Sequence, residues 1–261
     1  MYKHHKDSIV TMIAHYSQNP KIIALFLVGS IATGTERPDS DIDAIAVVSP
    51  EYYKEKKKLF FDENDIDGEV IESCFGKCTY EGGYFDVHYM TKEHMEELAK
   101  NGSEPKRNKF TNAKKLFCHQ EDLPELAKKI PVFQKEEGAA KQLRFYCTFK
   151  QLYTYYWSIC KAEGFMKDYI ANAMVYNLYR LILIENEILF PSLRKLEAFV
   201  INAFNKPVDI VKKCQKFMAT LIDEDAKEII DSYEKWTSYK YPDSKEFQFI
   251  ANNCVNPWEF Y

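Results

Sequence analysis

The sequence predicts an α+β chain, a mixed-sheet domain over residues 1–130 followed by an all-α helical bundle over residues 131–261. Three observations predict it. In the first half, short unbroken apolar runs such as Ile22 to Val28 and Ile42 to Val48 alternate with turn signals and helical stretches. From about Gln134 onward the apolar residues recur at helical spacing instead. Nine glycines in 261 residues are too few for a loop-rich or all-β chain.

Taken in order, Asp7 or Ser8 is the expected cap of a first helix, with Ile9, Met12, Ile13 and Tyr16 on one face and Asn19-Pro20 at its end. Ile22 to Val28 is short enough for a buried strand. Gly29-Ser30 then opens a helical turn that stops near Gly34, and Pro38-Asp39-Ser40 turns the chain into a second buried strand, Ile42 to Val48. Tyr52 to Phe60 is a helix whose lysine run is a solvated face. Glu69 to Tyr80 and Tyr84 to Met90 are two strands joined across Glu81-Gly82-Gly83. Thr91 caps a helix to about Ala99; His94 replaces the Glu or Gln of a capping box, which is therefore expected to be incomplete. A polar loop to Lys106, a strand over Ala113 to Cys118 and a helix over Leu123 to Lys129 complete the domain. In the second half, one helix carries Phe145, Phe149, Leu152, Tyr156 and Ile159, and the next carries Ile170, Met174, Leu178, Leu181 and Ile182. Pro191 and Pro207 precede helices with Leu193, Leu196, Phe199 and Val200, then Val208, Val211, Met218 and Leu221; Ala226, Ile229, Ile230 and Tyr233 mark the last.

The formal net charge of −4 supplies no overall field for nucleic acid, so a long polynucleotide substrate is not expected. Seven cysteines (74, 78, 118, 147, 160, 214, 254) are odd in number and lack zinc spacing, which predicts reduced thiols. The first residues lack the apolar core of a signal peptide, and no run reaches membrane-spanning length. A cytoplasmic protein without a membrane partner is the expectation.

The chemistry concentrates between residues 29 and 43. Gly29-Ser30 lies between a buried strand and a helix start, where unpaired backbone N–H groups suit phosphate oxygens. Gly29 permits close backbone approach and Ser30 adds a hydroxyl donor. Asp41 and Asp43 are two apart at a strand start, so both carboxylates point to one side of the sheet. Like charges at that spacing repel, and a Mg²⁺ ion between them removes the conflict. Asp86, inside the strand-like run Tyr84 to Tyr89, completes a set of three acids if its strand lies beside theirs, enough for two metals in an in-line displacement at phosphorus.

Gly-Ser, ten residues, Asp-x-Asp and a later strand Asp resemble the DNA polymerase β-type nucleotidyltransferase superfamily, over roughly residues 22–90. Ser-Asp-Ile-Asp at 40–43 is similar to its aminoglycoside and lincosamide nucleotidyltransferase branch, and the helical half has the general look of that branch's C-terminal, acceptor-binding domain. The resemblance implies a nucleoside triphosphate donor, expected to be ATP, two Mg²⁺ ions, release of pyrophosphate and a small-molecule acceptor hydroxyl such as that of an antibiotic. It implies that Gly29 and Ser30 grip the triphosphate, with Ser40 beside them. Asp41 and Asp43 would bridge both metals, and Asp86 would bind the metal that activates the acceptor. Relatives often carry Arg where this chain has Thr33, and Arg37 is close enough in sequence to substitute. The resemblance is also compatible with a homodimer.

His88 shares the expected face of Asp86, and a hydrogen-bonded structural role is its default. Glu136, Glu137, Asp168, Glu185 and Glu187 are candidates for acceptor binding or general base, unranked by the sequence. Two further functions stay open at this point: nucleotidylation of a protein or RNA, and nucleotide binding without turnover.

Overall fold

A computed structural model of the chain describes residues 1–60 and 70–240. It divides into two compact units, Met1–Val132 and Phe133–Tyr261.

The first unit runs α1 (Lys3–Tyr16), β1 (Ile22–Leu27), α2 (Gly29–Thr33), β2 (Ile42–Val48), α3 (Pro50–Phe60), β3 (Val70–Phe75), β4 (Tyr84–Met90), α4 (Lys92–Asn101), α5 (Glu104–Asn108), β5 (Lys114–Cys118) and α6 (Leu123–Lys129). Its five strands form one sheet in the order β3-β4-β2-β1-β5. The β2/β4 pair is parallel and the other three pairs are antiparallel, so the sheet is mixed. Both faces are covered, which is why β1 and β2 are apolar without alternation. On one face, Ile9, Met12 and Tyr16 of α1 pack over Leu25, Leu27, Ile42, Ala44, Ala46 and Val87. On the other, Met95 of α4 and Leu123 and Ala127 of α6 cover Ala24, Phe26, Ile45 and Val47.

Several local expectations are corrected. Helix α1 begins at Lys3 rather than at Asp7 or Ser8. The Ser8 side chain is buried, its oxygen accepting the Thr79 N–H at 2.8 Å and pairing with the Thr79 hydroxyl, so it serves a tertiary contact instead of a cap. Strand β3 stops at Phe75 because Gly76 takes φ 70° and leaves the ladder; Glu69, its expected first residue, lies outside the described residues. The capping box of α4 is complete after all: His94 Nδ1 accepts from the Thr91 backbone N–H, and Thr91 Oγ1 accepts from the His94 N–H. An imidazole acceptor thus replaces the usual carboxylate or amide. The expected loop before Lys106 contains α5, anchored by the buried Arg107 guanidinium, which donates to the Ala99, Gly102, Ile130 and Val132 carbonyls.

The second unit contains α7 (Lys135–Gln151), which continues as a π-helical stretch Leu152–Trp157, then α8 (Gly164–Glu185), a 3₁₀ turn at Leu193–Lys195, α9 (Leu196–Asn202), α10 (Ile210–Thr220) and α11 (Asp223–Trp236). Its core is built from Phe149, Leu152, Trp157, Met174, Leu178, Phe217, Ile230 and Tyr233. Three residues expected to pack on helix faces, Ile159, Leu193 and Val208, are exposed. The π-helical stretch explains the first: it shifts the register of the buried stripe after Leu152, so that Trp157 turns inward and Ile159 outward.

Among the described residues no helix is long and apolar enough to cross a membrane. The described cysteines are free thiols, and Cys254 lies outside the described residues.

Candidate active site

Strands β2 and β4 place the acids. They run parallel with Asp43 directly opposite Asp86. Asp41 precedes β2 by one residue and shares the side of Asp43 through the two-residue strand period. The carboxylates of Asp41, Asp43 and Asp86 each offer an oxygen, and these oxygens lie within 4.8 Å of one another; all three residues are half-buried.

Gly29 opens α2 with φ 69°, a left-handed conformation that favours glycine. A Cβ on this residue would lie 1.9 Å from Asp43 Oδ2 and 2.8 Å from Asp43 Cβ. The glycine therefore admits the Asp43 carboxylate as well as leaving backbone free for a ligand. The strand β1 end is tied to the same residue, since the Val28 N–H donates to the Asp43 carbonyl at 3.0 Å. Ser30 is half-buried in the first turn of α2. Helix α2 closes at Gly34 with φ 76°. Thr33 is tied back into its own helix, its hydroxyl bonding to the Gly29 and Ser30 carbonyls and to the Thr35 hydroxyl, each at 3.0 Å.

The loop from α2 to β2 carries the remaining expected residues. Arg37 is exposed and its Nε lies 3.2 Å from Asp39 Oδ1, an ion pair on the loop surface. Ser40 is buried; its Oγ accepts the Arg37 N–H at 2.9 Å, and its carbonyl accepts from the Tyr80 hydroxyl. Ser40 thus shapes the turn that delivers Asp41. His4 Nε2 donates to the Pro38 carbonyl at 2.9 Å and holds the same loop from α1.

Three contributors around the acids escape the sequence. Ser73 of β3 donates to Asp86 Oδ1 at 2.9 Å, because β3 pairs Ser73 opposite Asp86. Tyr84 hydrogen-bonds Asp41; that bond, then burial and the neighbouring carboxylates, push its phenol up to about 12, so it remains a donor at neutral pH. Its position two residues before Asp86 was a usable signal, since strand residues two apart share a face. Lys109 lies with Nζ 3.4 Å from His88 Nδ1, and His88 Nε2 is 3.9 Å from Asp86 Oδ2.

The donor set answers the question of a metal. Three carboxylates gathered this closely repel one another and favour a divalent cation, and an all-oxygen set suits a hard ion such as Mg²⁺. Asp41, Asp43 and Asp86 are the residues that would hold it.

A mixed sheet presenting three acids at adjacent parallel strands, beside a glycine that opens a helical turn, suits metal-assisted chemistry at a phosphoryl group. Residues 13–116 match the family model of the nucleotidyltransferase domain, which supports nucleotidyl transfer as the chemistry of this unit. The domain implies a nucleoside triphosphate donor and a divalent metal. Among solved structures, the chain is similar to a nucleotidyltransferase-like protein from Exiguobacterium sibiricum 255-15, at 8% identity and TM-score 0.41, covering 98% of this chain and 78% of that one. That likeness is too slight to carry further argument. No curated protein matches the chain in sequence.

Proposed function

We propose that the enzyme transfers AMP from ATP to a hydroxyl of a small-molecule acceptor, of the aminoglycoside or lincosamide kind, with two Mg²⁺ ions and release of pyrophosphate. The observation that carries the reading is the convergence of Asp41, Asp43 and Asp86 within 4.8 Å, beside Gly29. The acceptor oxygen forms a bond to the α-phosphorus as the bond from that phosphorus to the pyrophosphate oxygen breaks. Bound Mg²⁺ supplies charge neutralisation and Lewis-acid polarisation there. The chain's own residues do the rest. Gly29 and Ser30 offer donors to the triphosphate, with Arg37 as a cation on the loop that follows α2. Asp86 takes the acceptor proton on Oδ2, because Ser73 already occupies Oδ1. Acceptor recognition is assigned to the helical unit, and the −4 net charge favours a cationic acceptor over a polynucleotide.

The test is pyrophosphate release from each of the four nucleoside triphosphates with Mg²⁺, against a panel of aminoglycosides and lincosamides. Release that requires ATP and one drug, and is lost in Asp43→Asn, supports the reading. Silence across the panel, with ATP still raising the melting temperature, removes the small-molecule acceptor and shifts the bet to a protein or RNA acceptor.

A further inference from the structure

The helical unit contains a cavity of about 450 Å³ whose wall includes Phe133, Gln142, Glu185, Glu187 and Tyr239. Glu185 is its unusual member. It is the last residue of α8, where the helix dipole disfavours a negative charge. Its Oε1 accepts three hydrogen bonds, from Gln142 Nε2 at 2.8 Å, the Tyr233 hydroxyl at 2.8 Å and the Thr237 hydroxyl at 2.6 Å. Those donors come from α7, from α11 and from the residue that follows α11, so one oxygen crosslinks three segments.

All three donors are neutral, and all three bonds fall on the same oxygen. A glutamine at this position could accept all three through its amide oxygen, without the charge at the helix end. The crosslink therefore does not account for a carboxylate. Charge-assisted bonds do strengthen the crosslink, yet they leave the second oxygen, Oε2, with no hydrogen bond among the described residues. The other charges of the wall are differently placed. Glu187 is exposed and paired with Lys135 at 2.8 Å, and Lys240 is exposed at the rim. The rings of Phe133 and Tyr239 add faces that attract a cation.

We infer that this cavity is a binding site for a small organic ammonium ion, with the ammonium on Glu185 Oε2 and the organic body against Phe133 and Tyr239. The volume fits a ligand of modest size, and the fixed Oε1 presents the second oxygen in one orientation, so little ordering is required on binding. Binding here uses none of the residues assigned to the triphosphate and the metals, so it stands whether or not the proposed acceptor is right.

The full chain tests this with two probes that differ in one group, phenethylamine and phenethyl alcohol, titrated by calorimetry. The amine should bind at least tenfold more tightly than the alcohol. Glu185→Gln keeps the oxygen acceptor and should reduce amine affinity at least tenfold while leaving the alcohol unchanged. Glu187→Gln, at the exposed rim, should leave both unchanged. If Glu185→Gln fails to fold, the δ-methyl resonance of Ile184, which lines the cavity, reports on the unaltered protein and should shift with the amine. Equal binding of the two probes, an unaffected Glu185→Gln variant or an unmoved Ile184 signal would overturn the inference.

Discussion

Acids on opposite faces of one sheet, a single glutamate on one and three aspartates on the other, are treated in opposite ways. On the face covered by α1 and α3, Glu72 of β3 meets Lys56 Nζ at 2.7 Å and the Tyr89 hydroxyl, and Lys56 lies over the Tyr89 ring at 4.7 Å. Burial acts to raise the Glu72 carboxyl, but the bonds from Lys56 and Tyr89 outweigh it and hold the carboxyl below its usual range. One residue along β3 the chain faces the other way, and Ser73 points to Asp86, Asp43 and Asp41. There three carboxylates approach within 4.8 Å, with the Ser73 hydroxyl and the His88 ring beside Asp86 and the Tyr84 phenol on Asp41. Glu72 has its counter-charge beside it. The three aspartates gather negative charge that suits a divalent cation. The difference separates an acid that holds a fold together from acids that hold a ligand.

The largest expected effect tests that separation directly. Asp43→Asn should lower turnover by on the order of 10³-fold, since it removes a metal-bridging charge worth several kcal/mol to the transition state. The isosteric amide keeps the shape of the side chain, so a cooperative unfolding transition should be retained. Turnover kept alongside a lower melting temperature would place Asp43 in the same structural class as Glu72 and erase the contrast.

Gly29→Ala comes next. The added Cβ would fall 1.9 Å from Asp43 Oδ2, and the φ of 69° is strained for any L side chain. The Asp43 carboxylate must move by about 1 Å, a displacement that costs roughly 10²-fold in rate. The matched variant Gly82→Ala has φ 75° and open space around its Cβ, so it carries the backbone strain without the collision and should keep its activity. Equal losses from both variants would show that strain alone is responsible.

Much of this unit was legible because strand chemistry is periodic. The side shared by Asp41 and Asp43 follows from a period of two, and the helical turn after β1 follows from Gly29 and Gly34. That β4 lies parallel beside β2 did not follow, since the hairpin signal concerns β3 and β4 alone. Ser73 was invisible for the same reason: its place opposite Asp86 depends on register across two chain-distant segments. Arg107, just past the polar stretch that ends at Lys106, gave no signal in the sequence, and only the fold shows it gathering four carbonyls. In the helical unit, a π-helical stretch at 152–157 moved the buried stripe, which a uniform helical period cannot anticipate. Glu185 was one of five unranked acids, because its three donors are assembled by tertiary packing.

Glu72→Gln should act on stability rather than rate. It leaves the largely buried Lys56 ammonium without a counter-charge, a loss of about 1–3 kcal/mol measurable by urea denaturation. The pH dependence has a definite sign. Because the folded carboxyl is depressed, its stabilisation is present at neutral pH and is lost as pH falls through the ordinary glutamate range, near ~4.3, and below it. The variant should lack that acid limb while its turnover stays at the parent level. A fall in turnover would mean that the two faces of the sheet are coupled.

Tyr84→Phe should give the smallest change and probes the edge of the acid cluster. The phenol donates to Asp41 and, with its pKa pushed up to about 12, stays protonated through the working range of the enzyme. Its removal leaves the Asp41 charge in place and takes away only the bond that orients it. The half-saturating Mg²⁺ concentration should rise, and kcat/KM should fall by about 5–10-fold, in keeping with one hydrogen bond to a charged group at a half-buried site. Excess Mg²⁺ should recover most of the loss, since the ligand is misoriented rather than missing. The Asp43→Asn variant should show no such recovery, because there the ligand charge itself is gone. Recovery of both, or of neither, would mean that Tyr84 does not act through Asp41, and the hydroxyls around the acids would then be part of the scaffold rather than of the metal site.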